Sequence, residues 1–226
     1  MLKIENISVI YRKKQALDSL TLELQTGQAH GIVGLNGAGK TSLFNVVSGS
    51  LKPASGQVLL NKTPLPIQKI AYLEADNHFF PMLTAQEYLN VFKQTNPNYK
   101  EQALLELFRL PPNQLIEEYS TGMKKRLAML SILKQEKELY IFDEPFNGID
   151  LDGVLLFEQI IAELKHRRKT LLVSSHIMAP LEKIADTISY LSRGSICETF
   201  YPADFEKLHQ ILDKETNGFV ENRGLF

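Results

Sequence analysis

At residues 34–41 the chain reads Gly34-Leu35-Asn36-Gly37-Ala38-Gly39-Lys40-Thr41, the G-x-x-x-x-G-K-T pattern of a phosphate-binding loop (P-loop). Its glycines let the backbone fold tightly around an anion and direct N–H groups towards it. The Lys40 ammonium suits the β- and γ-phosphates of a nucleoside triphosphate, and the Thr41 hydroxyl suits a magnesium ion. The pattern therefore predicts nucleotide binding.

The segments on either side of the loop agree with this prediction. Residues 29–33 form a short apolar run that predicts a buried strand, and residues 41–47 carry apolar side chains at helical spacing. A helix N-terminus after the loop supplies unpaired N–H groups and partial positive charge for phosphates. The Lys-Thr pair and both flanks favour nucleotide binding over a glycine turn that binds nothing.

The composition bounds the class of protein. The 226 residues are enough for one large α/β domain or a core with a subdomain, and the content of 44% hydrophobic and 23% charged residues is that of a folded globular protein. A net charge of −1 gives no electrostatic reason to expect a nucleic-acid partner. We expect neither a membrane span nor a signal peptide. The one cysteine, Cys197, fits a reducing compartment, so we expect a cytosolic location.

Strand-like and helix-like segments alternate along the chain. Strands are predicted at 2–10, 20–24, 29–33, 57–60, 139–142 and 171–173. Helices are predicted at 41–47, 85–93, 101–110, 121–133 and 151–166, with the middle from about Pro81 to Gln135 mostly helical. The tail after Phe200 has no clear pattern. This alternation predicts an α/β fold with a parallel sheet.

Two acidic residues follow the apolar strand at 139–142. Asp143 is placed at the carboxyl edge of the sheet beside the P-loop, where it could hold magnesium through water. Glu144, next in sequence, could polarise a water molecule towards the γ-phosphate. Because the P-loop is intact, we favour these roles over two acidic residues without a catalytic role.

Two further segments are candidates whose roles the spacing alone leaves open. His176 follows the strand at 171–173 at the same sheet edge, where it could contact the γ-phosphate or be structural. Ser120 is a natural helix N-cap, and Gly122 leaves backbone N–H groups accessible, which makes a second candidate anion site. For residues 119–126, which include Lys124, Lys125 and Arg126, the spacing favours a capped helix with a solvated basic face over an anion site.

Taken together, these motifs resemble the nucleotide-binding domain of the ABC (ATP-binding cassette) family along residues 2–197. Residues 34–41 match Walker A and 139–143 match Walker B, with Glu144 at the position of the catalytic glutamate. Residues 119–123 lie where the signature motif is expected, 147–150 look like the D-loop, and 174–176 look like the segment with the switch histidine. The short length and this style of signature are most similar to cassettes of bacterial exporters of the bacitracin-resistance type.

The resemblance implies a fold and a set of site residues. The fold would be a P-loop NTPase (RecA-like) core with a parallel sheet, an N-terminal antiparallel β-subdomain and an inserted helical subdomain at about 76–135, all within one domain, 1–226, whose tail from about 200 has no clear role. Glu144 and His176 would be catalytic, and Thr41 and Asp143 would hold Mg²⁺. The residues implied to bind ATP are Tyr11, which would stack on adenine, Gly34, Leu35, Asn36, Gly37, Ala38, Gly39, Lys40, Thr41, Ser42, Ser120 and Gly122.

The family also implies partners. Two such domains, identical or different, would face each other head to tail, with ATP between Walker A of one and the signature of the other. ATP binding would close this dimer and hydrolysis would let it reopen, and a separate transmembrane permease subunit would use that motion for transport, with export as the expected direction. The chain would then lie in the cytoplasm, on the inner face of the membrane. The alternatives are a non-transport ABC ATPase that acts mechanically on a soluble partner, and a cassette that binds ATP but hydrolyses it poorly.

Two motifs, the Q-loop and the signature, depart from the family pattern. Ala75 stands at the Q-loop position, where alanine has no group to coordinate magnesium, and Glu74 or Asp76 could substitute through water. In the signature, Thr121 replaces a glycine and Met123 replaces the glutamine. Ser120 and Gly122 remain, so we expect closure of a dimer to survive.

Overall fold

The computed structural model describes residues 1–12, 14–80 and 82–221. The β-strands of this part are β1 (Leu2–Tyr11), β2 (Lys14–Leu24), β3 (Ala29–Val33), β4 (Ser55–Leu60), β5 (Thr63–Pro64), β6 (Ile70–Leu73), β7 (Leu139–Phe142), β8 (Thr170–Ser174), β9 (Thr187–Ser192) and β10 (Ser195–Phe200). The α-helices are α1 (Lys40–Ser48), α2 (Ala85–Val91), α3 (Glu101–Leu107), α4 (Thr121–Leu133), α5 (Leu151–His166), α6 (Met178–Ile184) and α7 (Phe205–Glu221).

A six-stranded sheet in the order β10-β9-β3-β8-β7-β6 forms the centre of the fold. Neighbouring strands from β9 through β6 run parallel, and β10 pairs antiparallel with β9 at one edge. Every residue of β3, β7 and β8 is buried, as expected for parallel strands covered on both faces. The carboxyl ends of these three strands therefore meet at one sheet edge, which the P-loop and Asp143 occupy.

A second, antiparallel sheet has the order β2-β1-β4-β5. Buried side chains alternate with more exposed ones along most of β1, so one face of this sheet packs on the core. The strand β2 begins at Lys14, so our predicted strand at 20–24 was too short. Its first half is mostly exposed, which removes the apolar alternation by which a strand is detected.

Side chains of β7 and β8 point alternately into two apolar clusters. Ile141 and Leu172 belong to a cluster between the central sheet, α1 and the antiparallel sheet. Phe142 and Val173 belong to a second cluster on the other face, where Phe157 of α5 is fully buried. Packing on both faces holds the strand ends, and hence the residues that follow them, in fixed positions.

Capping residues mark where the helices α4 and α5 begin. Ser120 and Asp150 cap α4 and α5 with their side chains, and both helices have the predicted bounds. The helices α2 and α3 end at Val91 and Leu107, earlier than the predicted 93 and 110, because Phe92 is extended and Arg109 has a left-handed φ of 54°.

The described part of the chain after Phe200 is mostly helical rather than patternless, since α7 spans Phe205–Glu221. Pro81, from which we expected the helical middle to start, and residues 222–226 lie outside the described part. The α/β fold with an antiparallel and a mostly parallel sheet is confirmed, whereas the division at about 76–135 stays a prediction. Within the described ranges, no helix combines the length and the apolar character that crossing a membrane requires.

Candidate active site

The P-loop connects the end of β3 to the start of α1. A Cβ atom on Gly34 would lie 2.2 Å from the Leu191 carbonyl oxygen, so only glycine fits there. Gly39 is the N-cap of α1 with φ of 115°, a left-handed conformation that favours glycine. These two glycines let the loop turn tightly, so that the N-terminus of α1 faces the sheet edge.

Lys40 and Thr41 are the first residues of α1. Lys40 hydrogen-bonds to the start of the loop, and Thr41 hydrogen-bonds to Asp143 at the end of β7. Lys40 is only 8% exposed, and its ammonium donates a hydrogen bond to the Gly34 carbonyl at 2.7 Å. The Thr41 hydroxyl donates to a carboxylate oxygen of Asp143 at 2.9 Å. The two motifs predicted to hold the nucleotide and the metal are therefore joined directly, although 102 positions separate them.

Ser174, at the end of β8, fixes the acidic pair. Its hydroxyl donates to the second carboxylate oxygen of the fully buried Asp143 and accepts a hydrogen bond from the Glu144 N–H at 2.9 Å. We assigned no role to Ser174 from the sequence. Its position at the end of a buried strand beside β7 is the signal that indicates one.

The Glu144 carboxylate lies between two cationic or ionisable groups. One oxygen is 3.8 Å from the Lys40 ammonium. The other oxygen is 2.7 Å from Nδ1 of His176 and accepts the His176 N–H at 3.1 Å. The structure thus brings the predicted catalytic residues together at the edge of the P-loop.

A cleft of about 410 Å³ opens over this cluster. Its lining residues are Tyr11, Lys14, Ala16, Asn36, Gly37, Gly39, Lys40, Thr41, Ser42, Ala75, Asp143 and Glu144. Lys14 and Ala16 were not anticipated, because β2 was expected to start later. Within the loop, Gly34 and Ala38 are buried, whereas Leu35 is exposed.

The predicted signature residues lie in a different cleft, of about 530 Å³. That cleft is lined by Arg109, Ser120, Thr121, Gly122, Met123, Arg126, Gly148 and Asp150. The Ser120 hydroxyl caps α4 by accepting the Met123 N–H at 3.2 Å. Within one copy of the chain, Ser120 and Gly122 are therefore not brought to the P-loop.

Comparison with known proteins identifies the family. The family model described as ABC transporter matches residues 17–147, more than half of the chain. The chain belongs to the ABC transporter family. ATP-binding proteins of this family hydrolyse ATP to drive transport, so the chain is a member of a family of ATPases.

Curated ABC relatives match along most of the chain. The bacitracin transport ATP-binding protein BcrA of Bacillus licheniformis is 29% identical over 211 residues, 88% of this chain and 69% of the relative. The lantibiotic transport ATP-binding protein SrtF of Streptococcus pyogenes is 27% identical over 234 residues, 100% of this chain and 96% of the relative. An uncharacterized ABC transporter ATP-binding protein of Synechocystis sp. is 31% identical, and the chain spans 60% of its length.

Solved ABC structures share the fold. The ATP-binding subunit of an ABC transporter superposes with a TM-score of 0.82 at 25% identity, covering 95% of this chain and 97% of that one. The dimeric cassette MJ0796, in a post-hydrolysis state bound to ADP and Pi, has a TM-score of 0.80 at 22% identity, covering 89% and 99%. The similarity confirms a P-loop NTPase fold for this ABC cassette.

The oxygen atoms of Thr41 and Asp143, 2.9 Å apart, would suit a magnesium ion bound together with a nucleotide. The part of the chain that the structure describes contains no group of three or more His, Cys, Asp or Glu that could hold a metal ion. Magnesium prefers hard oxygen ligands and is usually bound through one or two carboxylates together with substrate phosphates. The two side chains of this ABC cassette supply such oxygens.

The basic segment after the signature is not the solvated face that its spacing favoured. Lys125 is 4% exposed, and its ammonium donates to the carbonyls of Glu144 at 2.7 Å and Asn147 at 3.2 Å. Burial lowers the pKa of Lys125, and the nearby carboxylates of Glu144, Asp143 and Asp76 oppose that shift. Lys125 precedes the buried Met129 by one helical turn, which is the signal that places it on the inner face of α4.

Proposed function

We propose that the chain binds ATP with Mg²⁺ and hydrolyses it as the ATP-binding subunit of an ABC transporter. The observation that carries the proposal is the hydrogen bond from Thr41 to Asp143, with Glu144 beside both the P-loop lysine and His176. This arrangement has the parts that phosphoryl transfer to water needs: anion-binding groups, metal-holding oxygens and a carboxylate base.

Each part has a distinct role in this proposal. The N–H groups of residues 34–42 and the Lys40 ammonium bind the phosphates, and the Tyr11 ring, 46% exposed at the cleft, stacks on adenine. Thr41 and Asp143 would hold the Mg²⁺ ion, which would supply positive charge to neutralise the phosphates. Glu144 accepts hydrogen bonding from the attacking water and polarises it. His176 orients the Glu144 carboxylate and contacts the γ-phosphate.

We also propose that a complete site needs two cassettes. The P-loop cleft and the signature cleft have no lining residue in common. A second cassette placed head to tail brings its Ser120 and Gly122 to the nucleotide held by the P-loop of the first. The cassette MJ0796, which shares this fold, is dimeric with ADP and Pi bound, and that is consistent with such an arrangement.

Export through a separate membrane permease is the transport function that we propose. The relatives BcrA and SrtF are transport proteins for bacitracin and a lantibiotic, and a cassette of the same fold, cbiO1, is part of a transporter complex. The permease places the chain on the cytoplasmic face of the membrane. The molecule that is transported would be selected by that permease.

Replacing Lys40 tests the proposal. Lys40→Ala removes the charge that faces the β- and γ-phosphates, so MgATP turnover by the purified chain should fall by about 100-fold or more. The exposed Lys52 makes a matched control, since Lys52→Ala removes a charge outside the cleft and should leave turnover unchanged. Turnover of Lys40→Ala equal to that of the wild type would contradict the proposed site.

A further inference from the structure

Lys125 is a charged residue buried beneath the segment that carries Glu144. It lies in the second turn of α4, and its ammonium reaches the backbone carbonyls of Glu144 and Asn147. A buried ammonium is costly unless it is hydrogen-bonded. The two hydrogen bonds therefore hold these carbonyls in their observed positions.

The two carbonyls are the ends of one tight turn. The Asn147 N–H donates to the Glu144 carbonyl at 3.2 Å, and Pro145 occupies the second position of the turn, which suits its fixed φ. Lys125 adds two further contacts, one to each end of the turn, from the same ammonium. Displacement of α4 would therefore displace the turn.

The backbone of Glu144 itself is strained. Its φ of 48° is left-handed, a conformation that residues with a Cβ atom adopt only when their surroundings hold them in it. Ser174 holds the N–H side of Glu144 from β8, and Lys125 holds the carbonyl side from α4. The direction of the Glu144 side chain depends on both contacts.

We propose that Lys125 is a positioning residue for Glu144 in ATP hydrolysis, an inference that rests on the function proposed above. It lies on the helix whose N-terminus carries Ser120 and Gly122. The helix that completes the partner's nucleotide site thus also orients the base at the chain's own P-loop.

Three substitutions at Lys125 test this role. Lys125→Met keeps the length and removes the donors, so kcat should fall by roughly 10- to 100-fold, the cost of a misplaced catalytic group. The Kd for MgATP should change by less than about threefold, because Lys125 does not line the nucleotide cleft. Lys125→Arg restores donors to the same carbonyls and should recover most of kcat. Lys125→Gln shortens the side chain and removes its charge, so it should lower kcat like Lys125→Met and serves as a second loss variant should the methionine variant be unstable.

Lys134 at the other end of α4 is a matched control. It is also buried, and its ammonium donates to the Leu89 carbonyl at 2.9 Å and to Glu101 at 2.8 Å, away from the nucleotide cleft. Lys134→Gln should lower the melting temperature and leave kcat unchanged. A purely structural role for Lys125 predicts that Lys125→Gln behaves in the same way.

Hydrogen exchange of residues 143–150 supplies a readout that does not need turnover. The Lys125→Met and Lys125→Gln variants should exchange faster there than the wild type, while Lys134→Gln should not. Wild-type kcat in Lys125→Met, or unchanged exchange in this segment, overturns the positioning role. An inactive wild type would contradict the proposed function instead, and the exchange data alone would then decide the role of Lys125.

Discussion

Ala75 leaves the nucleotide cleft without the side-chain oxygen that the Q-loop position supplies in the family pattern. The residue lines the same cleft as Thr41 and Asp143, whose oxygens would hold magnesium. Glu74 and Asp76, which we considered as substitutes, are exposed and are not among the described residues that line the cleft. In the proposed site, a magnesium ion would therefore depend on Thr41, Asp143 and the nucleotide for its ligands.

Restoring a side-chain oxygen at this position should strengthen metal binding. We predict that Ala75→Gln lowers the Mg²⁺ concentration for half-maximal ATPase activity, by roughly up to tenfold, because an amide oxygen adds a hard ligand or orients one. Ala75→Leu has a similar bulk without the oxygen and should not lower it. The measurement is ATPase rate against Mg²⁺ at fixed ATP, and equal Mg²⁺ dependence of the glutamine and leucine variants would show that the oxygen has no role.

The contact between β3 and β9 contains a buried histidine that should make folding sensitive to pH. His30 lies between Ser189, whose hydroxyl is 3.0 Å from Nε2, and Thr187, whose hydroxyl contacts Nδ1. Burial lowers the pKa of His30 to about 4 from its usual 6.5. The unfolded chain binds a proton at this residue more readily than the folded chain, so stability is lost as pH falls from about 6.5 towards 4.

We predict that this histidine accounts for about 2 kcal/mol of lost unfolding free energy between pH 7 and pH 5. His30→Gln keeps hydrogen-bonding groups but does not titrate, so its unfolding free energy should fall less over that interval. Urea unfolding at both pH values measures the difference. The exposed His166, replaced by Gln, is the control. If wild type and His30→Gln lose the same free energy, burial of His30 does not destabilise the protein in acid.

Elements whose ends are marked by side chains could be predicted from the sequence, and others could not. The bounds of α4 and α5 agree with prediction because Ser120 and Asp150 cap them. The start of β2 was missed because exposed polar residues obscure its alternation, although pairing with β1 stabilises it. The helix α7 was missed although its apolar residues Phe205 and Leu208 are three positions apart, a spacing that two residues alone do not make convincing.

The contacts of the candidate site also fall into those that the sequence could predict and those that it could not. Contacts between motif residues, such as Thr41 with Asp143, follow from the rule that strand ends of a parallel sheet meet at one edge. Spacing can place Ser174 at a strand end and Lys125 on the inner face of α4, but their hydrogen-bond partners depend on how β8 and α4 pack beside β7, which spacing does not specify.

For the whole molecule, the two clefts have no lining residue in common, so in the proposed two-cassette arrangement one copy alone would have an incomplete site. Glu144 is present, so hydrolysis would normally release any ATP-bound dimer soon after it forms. A variant that binds ATP but turns it over slowly should accumulate that dimer. Glu144→Gln is suited to this purpose, because it removes the base while the amide keeps a similar shape near Lys40 and His176.

We predict that Glu144→Gln elutes as a dimer on gel filtration with saturating MgATP and as a monomer without nucleotide. Binding of one ATP by the P-loop of one copy and by Ser120 and Gly122 of the other supplies contacts that neither apo surface has. The double variant Lys40→Ala/Glu144→Gln lacks the phosphate-binding charge and should remain monomeric, which separates nucleotide-dependent closure from non-specific association. Because dimerisation depends on concentration, the test belongs at high protein concentration. A Glu144→Gln variant that binds MgATP there yet stays monomeric would mean that identical copies do not form the complete site, and a different cassette would have to supply the second signature.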